Sequence, residues 1–425
     1  MKSWWGSLGV LGTVAILTGL NGGAIPYRRP IIQAATKPQI VKMRLTADRT
    51  PSRLLTKPAA RKLPDSKTLV PGVVAKPSHA ATPRVSQAVG ATPTSRPATP
   101  GSSSTRTPVP PPSQNSARPW VLGYYTQYSP NSVTSQASLS ANLSTITDIA
   151  PLWYTLRANG SLHTMGYNRA AIRQYATSHG IGVYPLVTNA GANATILTNL
   201  AIRNHVVTSL TQLAVRDHYP GFNIDFEGLN YWDRQGMSAF VIALAQRLKP
   251  LGKVVTVAVI PKTVTDPYGR AYNFRVLGQY AAKVVLMTYD HHDIGSPPGP
   301  VAPMGWVTGA VQYALTRMPA KKIVLGLAAY GYNWGSNGTT VEVHDLQAVN
   351  LAHQEGTPIQ WNSTYGEATF QYTKGGVSHT VWFENGYSNA AKIALTKADH
   401  LGGVAIWRLG DEDPHLWTVL QQYGY

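Results

Sequence analysis

Eight apolar runs of five to seven residues alternate with helix-length amphipathic stretches over about the last 300 residues of this 425-residue chain. The runs cover 121–125, 149–154, 182–187, 221–227, 254–260, 283–289, 323–327 and 403–407. Most are rich in Val, Ile, Leu and Ala without strict alternation, the pattern of parallel strands covered on both faces. Helical candidates lie between them, at 168–179, 202–217 and 237–248. Strand followed by helix, repeated eight times, predicts an α/β fold of the (β/α)8 barrel type. An open doubly wound sheet is the alternative, disfavoured because no Gly-rich phosphate loop follows the first run.

The interval between the seventh and eighth runs is too long for one helix. It holds strand-like stretches at 339–344, 369–373 and 379–383, and Gly375-Gly376 is placed to turn the last two into a hairpin. A small α+β insertion over about 333–385, on the active face of a barrel spanning 119–425, is therefore expected to deepen a groove.

Composition separates this part from what precedes it. All 22 Tyr but one, and all 11 Trp but two, lie from Trp120 onward. Residues 26–118 carry 16 Lys or Arg against Asp48 and Asp65, whereas 119–425 carries 20 against 17. The net charge of +18 thus belongs mostly to the N-terminal part. With many prolines and few aromatics, 26–118 is expected to be a disordered spacer. Its charge would allow contact with an anionic cell wall or membrane surface. Nucleic acid is not expected as a partner, because no stacking aromatics interleave with the charges. Residues 1–25, with Lys2, an apolar stretch at 8–20 and the small residues Gly22-Gly23-Ala24, read as a signal peptide or membrane anchor. A secreted protein, or one anchored at the outer face of the cytoplasmic membrane, is expected. The absence of cysteine rules out disulfides and thiol catalysis.

In a barrel, catalytic groups sit at the C-terminal ends of the strands. Here the ends are loaded with Tyr124-Tyr125, Trp153-Tyr154, Thr188-Asn189, Met287-Thr288-Tyr289-Asp290 and Trp407-Arg408. The fourth run, Gly221-Phe222-Asn223-Ile224-Asp225-Phe226-Glu227, alternates polar and apolar residues. Asn223, Asp225 and Glu227 share one face, with the backbones of the two acids roughly 6.6 Å apart. Such a pair suits environments that push two carboxyl pKa values apart. Acids among aromatics suit a carbohydrate, whose C–H faces stack on rings. His291, His292 and Asp293 lack a ligand-spaced partner, so no metal is expected. Asp411-Glu412-Asp413 reads as the cap of the final helix.

These motifs together resemble glycoside hydrolase family 18, the chitinase family. The fourth run is similar to its catalytic strand, Met287-Thr288-Tyr289-Asp290 to its sixth strand and Gly403-Val404-Ala405-Ile406-Trp407 to its eighth. Tyr289-Asp290-His291-His292 and Ile406-Trp407-Arg408-Leu409-Gly410 are most similar to the branch of bacterial spore-germination and cortex-lytic glycosidases. The resemblance implies a retaining, substrate-assisted hydrolysis of N-acetylhexosamine polymers without cofactor or metal, by an expected monomer. It implies Glu227 as general acid and then base, Asp225 as partner of the substrate acetamido N–H, and Tyr289 as donor to the acetamido oxygen. Trp407 would be the floor beneath the sugar, with Asn223, Tyr124, Met287 and Asp290 completing the substrate-binding set. The family pattern has acids where Pro220 and Asn223 stand. An amide can hydrogen-bond Asp225 but cannot relay a proton, so an altered pH profile is expected. A catalytically silent carbohydrate-binding or cell-envelope structural protein on the same barrel is the rival reading.

Overall fold

The computed structural model describes residues 118–189, 195–265 and 268–425. The expected signal segment, and the linker but for its last residue, lie outside the described residues. Among the described residues, eight parallel strands are Trp120–Tyr125, Asp148–Leu156, Gly182–Val183 continued by Leu186–Thr188, Gly221–Asp225, Val254–Val259, Lys283–Leu286, Ile323–Ala328 and Gly403–Trp407. The first pairs with the second on one side and the eighth on the other, which closes the barrel. Helices Arg169–Ser178, Leu200–Arg216, Arg234–Leu248, Phe274–Tyr280, Met304–Leu315 and Gly386–Ala398 lie between the strands in sequence. This is the (β/α)8 architecture that the alternation predicts. No helix among the described residues is long and apolar enough to cross a membrane.

The third strand is broken, not continuous. Pro185 has no N–H to give to a ladder, and pairing with the second strand resumes at Leu152–Leu186 after a register shift. The fourth strand shows both of its faces clearly. Phe222, Ile224 and Phe226 are fully buried. The Phe226 ring stacks on Phe240 of helix Arg234–Leu248 at 5.0 Å between centroids, and Phe222 meets Tyr219 edge-on at 5.8 Å. Each such ring stabilises the fold by roughly 1.5–3 kcal/mol on burial. That anchorage fixes which way Asn223 and Asp225 point, since neighbours on a strand face opposite sides.

Between the seventh and eighth barrel strands stands a five-stranded antiparallel sheet. Its spatial order is Thr340–His344, Tyr330–Gly335, Val377–Phe383, Glu367–Lys374 and Gln360–Asn362, and helix Asp345–Gln354 adds Ala348 and Ala352 to its core. The sheet starts at Tyr330, earlier than the expected 333. Gly375 and Gly376, with φ of 57° and 78°, make the two-residue turn whose positive φ at both positions favours glycine. Buried acids fasten this insertion to the loop after the sixth strand. Glu367 accepts the N–H groups of Val301 (2.6 Å) and Ala302 (3.0 Å). Beside it, Glu384 takes Lys392 Nζ at 2.8 Å on each carboxylate oxygen, and both residues are fully buried.

Candidate active site

The strand carrying the two acids stops at Asp225, so Glu227 belongs to the loop beyond it. The cause is local. The Glu227 N–H donates to Asn189 Oδ1 at 2.9 Å, and its carbonyl accepts from Asn189 Nδ2 at 2.8 Å. A side chain has taken the peptide groups that would extend the ladder. The Phe226 carbonyl accepts the Tyr272 hydroxyl at 2.5 Å. Glu227 is thereby held on both flanks, by the end of the third strand and by the loop after the fifth.

Seven of the eight expected site residues line one cavity at the C-terminal ends of the strands: Tyr124, Asp225, Glu227, Met287, Tyr289, Asp290 and Trp407. Tyr268, His291 and Trp306 line it too and were not singled out as sugar contacts from sequence. Asn223 is the exception. It is fully buried and absent from the lining, so its expected place among substrate-binding residues is corrected to a position inside the barrel beside Asp225.

Hydrogen bonding fixes which end of the Asn223 amide faces its neighbours. Thr256 stands opposite Asn223 on the fifth strand and donates its hydroxyl to the Phe222 carbonyl at 3.2 Å. With its one proton committed, Thr256 Oγ1 can only accept from Asn223 Nδ2, at 3.0 Å. Asn223 Oδ1 is left without a partner, as are Asp225 Oδ1 and the Tyr124 hydroxyl.

Burial pushes the Asp225 carboxyl up to about 7. Burial, reinforced by the charges of Asp225 and Asp290, pushes Glu227 well above the ordinary carboxylate range. Both carboxyls are thus raised, and the charge of one opposes ionisation of the other, so the pair favours holding a shared proton. Tyr289 is raised by burial and then by the charges of Tyr124, Asp225, Asp290 and Glu227, so its hydroxyl stays a donor at neutral pH. Gly326 makes room for that ring: a Cβ there would lie 2.4 Å from the Leu286 carbonyl and 2.9 Å from Tyr289 Cε1. Asp290, at a left-handed φ of 57°, takes the hydroxyls of Tyr330 (2.6 Å) and Tyr332 (2.8 Å) on one carboxylate oxygen. It buttresses the wall of the cavity while adding negative charge near Glu227. Trp407 packs against Tyr124 with centroids 5.1 Å apart and presents its ring to the cavity.

The remaining acids divide their tasks. Of Asp411-Glu412-Asp413, Asp413 is the one whose carboxylate takes a backbone N–H at the start of the last helix, that of His415 at 2.9 Å. Glu412 accepts Trp417 Nε1 at 3.1 Å, and Asp411 pairs with Arg408 Nε at 2.8 Å. The expectation of a three-residue cap is corrected accordingly. Glu342, His344 and Asp411 have ligand atoms within 4.8 Å of one another, but the Arg408 guanidinium already neutralises Asp411.

The chain is similar to several known proteins. It is 34% identical over 234 residues to the cortical fragment-lytic enzyme of Bacillus subtilis, covering 53% of this chain and 54% of that enzyme. The chain thus spans about half the length of that curated relative. A chitinase from Chromobacterium violaceum superposes with a TM-score of 0.67 at 28% identity, over 72% of this chain and 98% of the other. The Bacillus cereus spore cortex-lytic enzyme SleL gives the same TM-score and identity, over 72% of this chain and 74% of that one. The sequence model for glycosyl hydrolases family 18 matches residues 121–413, all eight strands but for Trp120, and the chain belongs to that family of glycosidases.

Proposed function

We propose that the protein is an exported, retaining glycosidase that hydrolyses β-1,4-linked N-acetylhexosamine polymers, peptidoglycan or chitin, with the substrate's own acetamido group as nucleophile. The observation that carries this reading is one cavity at the strand ends lined by two carboxyls, Asp225 and Glu227, together with Tyr289 and Trp407. Glu227 gives that proton to the leaving oxygen as the acetamido oxygen bonds to the anomeric carbon. Asp225 accepts the acetamido N–H, and the cationic ring formed is neutralised beside the carboxylate. Tyr289 donates to the acetamido oxygen, and Trp407 floors the sugar. Water then adds to the anomeric carbon, giving its proton to Glu227 and returning the acetamido group. Asp290, the third carboxylate of the cavity, is committed to two tyrosine hydroxyls, which supports a nucleophile supplied by the substrate. The likeness to proteins named chitinase and cortex-lytic enzyme supports the polymer class.

Export rests on the N-terminal sequence, and cell fractionation tests it. The activity is tested by mass spectrometry of products from N-acetylglucosamine oligomers and from purified peptidoglycan. Glu227→Gln should lower turnover by at least about 100-fold. Unchanged turnover would sink the assignment, and the masses released identify the polymer.

A further inference from the structure

Another cavity lies on the outer side of the barrel wall and shares no lining residue with the one at the strand ends. Tyr154 of the second strand stands in register with Val187 of the third, and Val187 with Ile224 of the fourth. Ile224 faces away from Asp225, since neighbours on a strand point to opposite sides. Tyr154 therefore points outward, away from the two acids. The cavity, of about 310 Å³, is bounded there by helices Arg169–Ser178 and Leu200–Arg216.

Its floor holds two buried tyrosines, Tyr154 and Tyr219, whose hydroxyl oxygens lie 3.2 Å apart. One hydroxyl proton closes that bond. The proton of the accepting hydroxyl has no acceptor among the described residues and is available to a ligand. The charge around the pair is unbalanced. Arg169, Arg173 and Arg216 line the cavity against a single acid, Asp217. Asp217 is spent on Arg216, whose Nε and Nη2 each reach one of its carboxylate oxygens at 2.9 Å. Arg173 is held beside the tyrosines. Its Nη1 donates to the Asp217 carbonyl at 2.8 Å, and its guanidinium lies 6.0 Å from the centre of the Tyr219 ring. Its separation from the Asp217 carboxylate is longer, 3.8 Å. Arg169 donates to the Met165 carbonyl at 3.3 Å and forms no ion pair among the described residues. Arg169 and Arg173 are four apart on one helix, so they share a face and repel one another. An anion bridging them relieves that repulsion, and both keep N–H groups to give it.

We propose that this cavity binds a doubly charged phosphate group, free or as a monoester. Arg169 and Arg173 grip its oxygens, a tyrosine hydroxyl donates to another, and two negative charges meet the two guanidiniums that Asp217 leaves over. The guanidinium fork matches phosphate geometry, and the volume leaves room for the group that is esterified. The site is separate from the glycosidase reading and does not depend on it.

Isothermal titration calorimetry of the full chain at pH 8 and low salt tests it, with inorganic phosphate, glycerol 3-phosphate and acetate as titrants. Saturable phosphate binding is expected, weakened about tenfold by Arg169→Gln and by Arg173→Gln. Arg173→Lys keeps the charge without the fork and should recover only part of the loss. Thermal unfolding checks that each variant is folded, and Glu227→Gln should bind phosphate as the unsubstituted chain does. Tighter binding of glycerol 3-phosphate assigns the site to an ester and tighter binding of phosphate to the free ion, and either supports it. Absence of saturable binding, or acetate binding as tightly as phosphate, overturns the proposal. Affinity that a folded Arg169→Gln, Arg173→Gln double variant leaves unchanged belongs to the basic N-terminal part and overturns it equally.

Discussion

Replacing Asp225 with Asn should make the protein more stable while it loses activity. Asp225 is 5% exposed, and its carboxyl rises from an ordinary 3.8 to about 7 in the folded state. The folded protein therefore holds a proton that the unfolded chain releases between those two pH values. Stability falls as pH rises through this window, and the full penalty is present above about 7. At about 1.4 kcal/mol per pH unit, the rise amounts to about 4 kcal/mol. Asn carries no charge to desolvate. Thermal unfolding at pH 5 and pH 8 reads the effect directly. Asp225→Asn should exceed wild type by up to about 10 °C at pH 8, at about 2–4 °C per kcal/mol, and by less at pH 5. Hydrolysis should fall in the same variant. A Tm difference that does not grow between pH 5 and 8 would refute the claim that burial, not a partner, sets this carboxyl.

Other consequences are as concrete. Thr256→Val removes the hydroxyl that orients Asn223 and leaves the buried Asn223 NH2 unpartnered, a loss of about 1–3 kcal/mol by chemical denaturation. It also frees the amide to turn its N–H toward Asp225, so the acid limb of the pH–rate profile should move down; an unmoved limb with the stability lost would make Thr256 merely structural. Lys392→Met leaves the buried Glu384 without its counter-ion and should cost about 3–5 kcal/mol, read as a lower denaturation midpoint at pH 8.

The barrel was legible because its strands are nearly pure apolar runs and its helices fall between them. What sequence reasoning missed was local and polar. Pro185 interrupts a run that otherwise reads as continuous. The fourth strand ends at Asp225 because Asn189, distant in sequence, takes the next peptide groups, and no periodicity reports such a contact. Thr256 had a visible signal, being the one hydroxyl in an apolar run at 254–260. Its partner became evident only through the register that sets it opposite Asn223. Tyr268 lies in a loop, where burial has no pattern to read. The departure at Asn223 was readable as a change of chemistry, but its depth inside the barrel was not.

The account turns on who attacks the anomeric carbon. Whether that carbon is displaced twice or once is decided by proton NMR of the first products from an N-acetylglucosamine oligomer, followed before mutarotation. Attack by the acetamido oxygen followed by water, with Glu227 as acid and then base, predicts the β anomer. An α anomer would mean a single direct displacement by water and would contradict the roles assigned to Asp225 and Glu227.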